Sequence, residues 1–179
     1  RKEMQLPQNI AGHCDAVADF CDMLSAKLLM RGDIVRPRAL RRAAEVHDML
    51  RFLDFHPGSA HLNRDITEAQ REHWRSVAGK FAGMGHEAGC AAFLRERGYP
   101  AIAAIAESHG LRGAEPRTIE QRLLFYADKR VRFTEVVSLE ERFRDFRQRY
   151  ANGKETPQSR QWHRECEALE RSLFPEGAP

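Results

Sequence analysis

The amino-acid sequence predicts an all-α fold, a compact bundle of about eight helices that form a single domain. Apolar residues recur at three- and four-residue steps through most of the chain, which is the period of an amphipathic helix. No segment of useful length alternates apolar and polar residues as a half-buried strand does. The 179 residues, of which 42% are hydrophobic, suffice for one domain with a sizeable core and are too few for two comfortable ones.

Each predicted helix has an apolar stripe and its own end signals. The first stripe runs through residues 10–28 and ends before the turn residues 31–33. Pro37, Pro100 and Pro157 suit the first turn of a helix, because the amide that proline lacks has no helical partner there. The predicted spans are about 10–28, 37–54, 65–81, 86–97, 100–109, 118–131, 138–150 and 156–173.

Three of these helix starts carry the spacing of a capping box, in which Ser, Thr or Asp is followed three residues later by Glu or Gln. Gly98 and Gly110 are placed to end the fourth and fifth helices, and the turn-rich residues 55–65 separate the second helix from the third. The three predicted capping pairs are Asp65 with Glu68, Thr118 with Gln121, and Ser138 with Glu141.

Composition and charge exclude several classes of function. The formal net charge is +3, and charges of both signs are mixed along the chain, as in residues 140–149, which predicts solvated helix faces rather than a nucleic-acid surface. No stretch approaches the ~18 uninterrupted apolar residues of a membrane span. Four cysteines at wide spacings without a CxxC pair indicate reduced core thiols. We therefore expect a soluble, cytoplasmic protein.

Four of the eight histidines fall on apolar helix faces, where core residues belong. His13 is next to Cys14 at the inward edge of the first helix. His47 continues the apolar line of the second helix, and the carboxylate of Asp48 follows it directly. The other two are His86, at the start of the fourth helix, and His109, at the end of the fifth.

Asp128 adds a carboxylate to the apolar stripe of the sixth helix. An ionised carboxylate is not buried there without a cation or strong hydrogen-bond donors. Each residue alone has a structural explanation, since a histidine can bond a carbonyl group and Asp128 can pair with an arginine. Together, four imidazoles and two carboxylates from five helices predict a metal site inside a helical bundle.

The remaining histidines carry less information. His56 and His61 lie in the polar segment after the second helix, and His163 is one position off the apolar stripe of the last helix. We expect these three at the surface. His73 flanks the apolar stripe of the third helix, and the pattern leaves its position open.

The order of these motifs resembles that of the HD-domain metal-dependent phosphohydrolases, over about residues 10–131. The segments that carry the resemblance are HCDAVA (13–18), AAEVHDMLR (43–51), GHEAG (85–89), ESHG (107–110) and LFYADK (124–129). The HD doublet alone is weak evidence, whereas the ordered series H, HD, H, H, D is specific.

By this resemblance, one metal would be held by His13, His47, Asp48 and Asp128. His86 and His109 would bind a second metal, with Asp48 bridging the two. The family often has Gly and then Lys after the doublet, and Leu50 and Arg51 stand there in this sequence. Arg51 keeps a cation near His47, while Leu50 makes the local packing bulkier.

Mixed imidazole and carboxylate ligands favour Fe or Mn, with Ni, Co or Mg as further options, and one or two ions. They argue against a closed tetrahedral zinc site. Metal-activated water at such a site would hydrolyse a phosphomonoester or pyrophosphate bond in a small phosphorylated metabolite or nucleotide. Asp48 and Arg51 are the predicted catalytic residues, and the predicted phosphate-binding cations are Arg51, Arg112 and Lys129.

Two other functions fit the same ligand set. The metal pair would support oxygen chemistry if it held redox-active iron, as in some relatives of the HD fold. A non-catalytic regulatory module would keep the site without using it, although such a module has no evident reason to bury this many polar groups. Residues 138–174 carry no motif with chemical meaning, and we expect them to form helices packed on the bundle.

Overall fold

The computed structural model describes residues 2–55, 66–110 and 117–179 and confirms the predicted all-α fold. In these ranges the only strands are β1 (Val131–Arg132) and β2 (Glu135–Val136), which form one antiparallel hairpin. None of the described helices is long and apolar enough to cross a lipid bilayer. The helices are α1 (Gln8–Arg31), α2 (Pro37–Val46), α3 (Glu68–Ala78), α4 (His86–Glu96), α5 (Pro100–Ala106), α6 (Ile119–Asp128), α7 (Leu139–Tyr150) and α8 (Pro157–Leu173).

The longest helix, α1, packs against α2, α6 and the β hairpin. Its predicted apolar stripe is confirmed, since Cys14, Cys21 and Leu28 have no exposed surface. The helix ends at Arg31, and the next residue, Gly32, has a φ of 95°, in the left-handed region that glycine adopts without steric cost. This packing places His13 at the edge of the buried stripe.

The second helix ends at Val46, so the predicted end near Asp54 is wrong. After Val46 the backbone tightens: the amide of Met49 donates to the carbonyl of Val46, and residues 51–54 form a 3-10 turn. The Leu50 amide makes no helical hydrogen bond and donates to the Cys90 thiol of α4 at 3.2 Å. The HD doublet therefore lies at a helix end, where α4 determines the path of the chain.

Two of the predicted capping boxes, at Thr118 and Ser138, are confirmed. The third box begins at Thr67, paired with Gln70, so the predicted start of that helix is wrong, and Asp65 lies outside the described residues. The sixth helix ends at Asp128 rather than near Val131, because Val131 pairs with Val136 in the hairpin. α5 likewise ends at Ala106, three residues before His109.

One hydrophobic core runs through the described chain, from Met4 near its start to Phe174 after α8. The C-terminal helix contributes Cys166 and Leu173 to this core and packs against α6 and α7. All four cysteines are buried free thiols, as predicted. Residues 138–174 thus form helices packed on the bundle, as expected.

A buried carboxylate of α6 is hydrogen-bonded to the residue that precedes α2. Glu120 is 3% exposed and accepts hydrogen bonds from the backbone amide and the guanidinium of Arg36, each at 3.0 Å. Arg36 is the residue that precedes α2. Hydrogen bonds from Arg36 lower the pKa of Glu120 from 4.5 to about 2, against the effect of burial.

We expect Glu120→Gln to lower the free energy of unfolding by about 2 kcal/mol at pH 7, since hydrogen bonds to the charged carboxylate are lost. The pKa is depressed in the folded chain, so this stability is present above pH 4.5 and is lost as the pH falls towards about 2. Urea unfolding at several pH values measures both effects. Glu72→Gln, at an exposed ion pair, is the control with little change. A difference between wild type and Glu120→Gln that stays constant with pH would contradict the assignment.

Candidate metal centre

The six predicted ligand residues converge at one place in the bundle. They come from the second turn of α1, the first residue of α4, the chain after α2, the chain after α5 and the last residue of α6. Each of them has a nitrogen or oxygen atom within 3.9 Å of another member of the set. The side chains of His47, His86 and His109 are at most 3% exposed.

One group of ligand atoms is formed by His13, His47 and Asp48, whose candidate atoms lie within 4.8 Å of one another. Asp128 borders this group. Its Oδ1 atom lies 2.9 Å from Nε2 of His13 and 3.7 Å from Nε2 of His47. These four residues are the set expected to hold the first metal.

A second group is formed by Asp48, His86 and His109, again with candidate atoms within 4.8 Å. Oδ1 of Asp48 lies 3.1 Å from Nε2 of His86 and 3.3 Å from Nε2 of His109. The two Nε2 atoms are themselves 3.1 Å apart. Two imidazole lone pairs this close repel each other unless a proton or a cation lies between them.

Asp48 belongs to both groups, and its two oxygen atoms divide between them. Oδ1 faces His86 and His109, while Oδ2 lies 3.9 Å from Nε2 of His47. A carboxylate placed in this way can bridge two cations. The geometry therefore agrees with the bridging role that the sequence motifs implied for Asp48.

The backbone orients three of the four imidazoles. The Nδ1 atoms lie within hydrogen-bond distance of carbonyl oxygens: His13 with Phe133 at 3.0 Å, His47 with Ala44 at 2.7 Å, and His109 with Ala106 at 2.5 Å. An Nδ1–H donated to a carbonyl leaves the Nε2 lone pair directed at the centre, as metal-binding histidines require.

His47 provides a direct test of whether the residues fit a metal. Its Nε2 atom is buried and makes no hydrogen bond. A buried polar atom without a partner costs free energy, and a cation coordinated by Nε2 removes that cost. The donor set, mixed imidazole and carboxylate, therefore fits a divalent transition metal.

His86 is oriented by carboxylates instead of a carbonyl. Oδ1 of Asp54 accepts from the backbone amide of His86 at 3.2 Å, and Oδ2 of the same carboxylate is hydrogen-bonded to Nδ1. Oε2 of Glu87 is 3.2 Å from Nδ1. Asp54 and Glu87 were not predicted as site residues, because neither lies on an apolar stripe; their spacing from the predicted ligands was the only available signal.

Glu87 reaches this position because residue 110 has no side chain. A Cβ atom at Gly110 would lie 1.8 Å from Oε1 of Glu87. Gly110 was predicted only as a helix terminator, and the structure assigns it a packing role beside His109.

The charge states of Asp48 and His109 suit metal binding. Burial raises the pKa of the Asp48 carboxyl, but the charges of His47 and Arg51, together with hydrogen bonds from the other histidines, hold that pKa well below its usual range. Burial lowers the pKa of His109 to about 4. A charged carboxylate and a neutral imidazole are the forms that coordinate a cation.

Burial lowers the pKa of His47, but Cys14 and Asp48 raise that pKa well above its usual value. Burial also lowers the pKa of His86, but hydrogen bonds to Asp48 and Asp54 raise that pKa above its usual value. A metal bound by these two rings would therefore displace their protons.

The carboxyl of Asp128 is also held in its charged form. Burial raises its pKa, and the neighbouring Lys129 ammonium then lowers that pKa well below its usual value. Lys129 also donates to the carbonyl of His109 at 2.8 Å, and its side chain is 4% exposed. Both contacts connect Lys129 to ligand residues, so its predicted contact with substrate stays a prediction.

Arg51 lies at the second group. Its Nη1 atom is 2.9 Å from Nε2 of His86 and 3.8 Å from Oδ2 of Asp54, and its side chain is 30% exposed. It lines the same cavity as the ligands. The third predicted cation, Arg112, lies outside the described residues.

The other histidines do not join the centre. His163 is less exposed than predicted: its side chain is 14% exposed, and its ring stacks on Phe143 at 4.6 Å. The packing of α8 on α7 buries the face that its spacing had assigned to solvent. His73 is half-buried, and His56 and His61 lie outside the described residues.

The fold and the centre define an all-α protein with a histidine and aspartate cluster that can hold metal. A scan against protein-family models and searches of curated proteins and of solved structures found no match to the chain. The likeness to HD-domain phosphohydrolases thus stays a prediction from the ordered motifs.

We expect the wild-type chain to bind about two Mn²⁺ ions, and His86→Ala or His109→Ala to bind about one, because each substitution leaves the first group intact. Metal analysis after equilibrium dialysis measures the stoichiometry. His163→Ala, which removes a histidine outside the centre, should keep both ions. Binding of a single ion by wild type at saturating Mn²⁺, with no further loss in either variant, would show a mononuclear site.

Proposed function

We propose that the protein is a metal-dependent phosphohydrolase that cleaves a phosphomonoester or pyrophosphate bond of a nucleotide-like substrate. The observation that carries this proposal is the position of Asp48 between two groups of histidines. Paired metal sites of this kind are common in enzymes that hydrolyse phosphate esters. Fe or Mn is the favoured metal, and Ni, Co and Mg also accept these donors.

The candidate ligands fall into two sets, one for each metal ion. His13, His47 and Asp128 would hold one ion, His86 and His109 the other, and Asp48 both. When bound, the metal supplies a water of lowered pKa and positive charge opposite the phosphate. Lys129 keeps Asp128 charged, and Asp54 keeps the Nδ1 side of His86 occupied, so that the ligand atoms face the cavity.

Arg51 favours a phosphate substrate over oxygen chemistry. A partly exposed guanidinium at the edge of the ligand set offers planar donors that match two phosphate oxygens at once. Activation of oxygen by a metal pair has no comparable need for a cation at this position. Nη1 of Arg51 lies 2.9 Å from Nε2 of His86, so its guanidinium is beside the place where phosphate would bind, and a metal on Nε2 would replace this hydrogen bond.

We expect Asp48→Asn to abolish hydrolysis, because the amide cannot supply two charged oxygens to two cations. A screen of phosphorylated metabolites with Mn²⁺ or Fe²⁺ identifies a substrate for the wild type, and the variant is then assayed with it. Circular dichroism checks that the helices are retained. Full activity of Asp48→Asn on a good substrate would refute the site, and the absence of any phosphatase activity in the metal-loaded wild type would refute the function.

We expect Arg51→Ala to lower kcat/KM and leave the metal content unchanged. The loss should correspond to about 1.5 to 3 kcal/mol of activation free energy, the amount typical of a lost charge-assisted contact. Steady-state kinetics and metal analysis of the same preparation measure the two quantities. Arg38→Ala removes an exposed guanidinium at the start of α2 and serves as the control. Kinetics of Arg51→Ala equal to those of Arg38→Ala would leave Arg51 without a role in substrate binding.

A further inference from the structure

The metal centre opens into a cavity that extends well beyond the ligands. The cavity has a volume of about 1060 Å³ and is continuous from the ligand residues to the helices α7 and α8. This volume matches the upper end of pockets that enclose whole small molecules, ~300 to 1,000 Å³. A phosphate group alone would fill a small part of it, so the far side is available to the rest of a substrate.

The far side of the cavity is rich in arginine and aromatic side chains, which lie beside Thr156, Gln158 and Ser159. We call these residues the α7–α8 wall. The planar guanidinium of Arg142 lies 4.1 Å from the ring of Phe146, and that of Arg149 lies 4.3 Å from the ring of Phe133. The α7–α8 wall consists of Phe133, Arg142, Phe146, Arg147, Arg149 and Trp162.

The positive charges of this wall are balanced by carboxylates. Asp145 accepts from Nη1 of Arg142 at 3.0 Å and from Nε of Arg149 at 2.9 Å. Arg147 pairs with Glu140 at 3.3 Å and with Glu155 at 3.7 Å. A wall of rings and guanidinium groups whose charges are nearly balanced favours an aromatic group over a second phosphate, because aromatic rings stack on both arenes and guanidinium planes.

The β hairpin connects the wall to the metal ligands. Phe133 has a φ of 57°, a conformation that bulky residues seldom adopt, and its side chain is 58% exposed at the cavity. Its carbonyl oxygen is the partner of Nδ1 of His13 at 3.0 Å. One residue therefore orients a ligand imidazole through its backbone and presents an aromatic ring to the cavity through its side chain.

We propose that the α7–α8 wall binds the planar aromatic base of a phosphate ester whose phosphate lies at the metal centre. The inference rests on the proposed function for the phosphate end only. Residues 138–174, which carry no motif with chemical meaning, would then distinguish a nucleotide from a sugar phosphate.

Tryptophan fluorescence tests this inference directly. The chain has two tryptophans, and Trp162 lines the cavity while Trp74 is buried against Phe52. With Mn²⁺ present, adenosine 5′-monophosphate should quench the emission, and ribose 5-phosphate and inorganic phosphate at equal concentration should not. Trp162→Phe should lose the quenching. Equal quenching by all three ligands, or none by the nucleotide, would overturn the proposal.

Affinity provides the second readout. Stacking of a base on an aromatic side chain corresponds to about a tenfold change in Kd, so Trp162→Ala should bind adenosine 5′-monophosphate about tenfold more weakly by calorimetry. Its affinity for ribose 5-phosphate should be unchanged. Gln161→Ala, at the exposed neighbouring position, is the matched control. Equal weakening for both ligands would show that the wall binds a second anionic group or acts only in packing.

The outcomes separate this proposal from the proposed function. Quenching by the nucleotide, with no phosphate or pyrophosphate bond cleaved in any compound of the metabolite screen, would retain the base subsite and refute the hydrolase. Hydrolysis that proceeds equally well on ribose 5-phosphate and on the nucleotide, with no quenching, would retain the hydrolase and refute the base subsite.

Discussion

The Asp48 carboxylate is the group on which the arrangement of the centre depends, since it faces both sets of histidines at once. Burial of a charged carboxylate costs free energy unless cations or donors surround it. Here the neighbours are imidazole Nε2 atoms, and those of His86 and His109 lie 3.1 Å apart. Bound cations would satisfy the carboxylate and relieve the repulsion between these nitrogens, which links metal binding to the stability of the bundle.

The break in α2 after Val46 directly precedes the doublet of His47 and Asp48. The amide of Leu50 donates to Cys90 instead of continuing the helix. Close approach of α4 depends on Gly89, where a Cβ atom would lie 2.6 Å from Leu53. Packing between two helices thus determines the geometry of the ligands.

The two halves of the chain contribute different chemistry. The segments up to Lys129 supply the candidate ligands and most of the groups that orient them, which are charged side chains and the backbone carbonyls of Ala44 and Ala106. The C-terminal helices add the aromatic and guanidinium surface on the opposite side of the cavity. The hairpin residue Phe133 joins the two parts, because its carbonyl contacts His13 and its ring contacts Arg149.

The sequence by itself determined the helical fold and singled out the six residues that converge at the centre. Periodicity predicts helices without knowledge of their partners, and His47 or Asp128 on an apolar stripe is an anomaly visible in the sequence alone. Only the tertiary structure decided where α2 ends, how Asp54 and Glu87 orient His86, and what lies opposite the centre. These features depend on contacts between residues far apart in the chain. Arg142 and Trp162 resemble any partly buried helix residues until the folded chain places them across a cavity from the ligands.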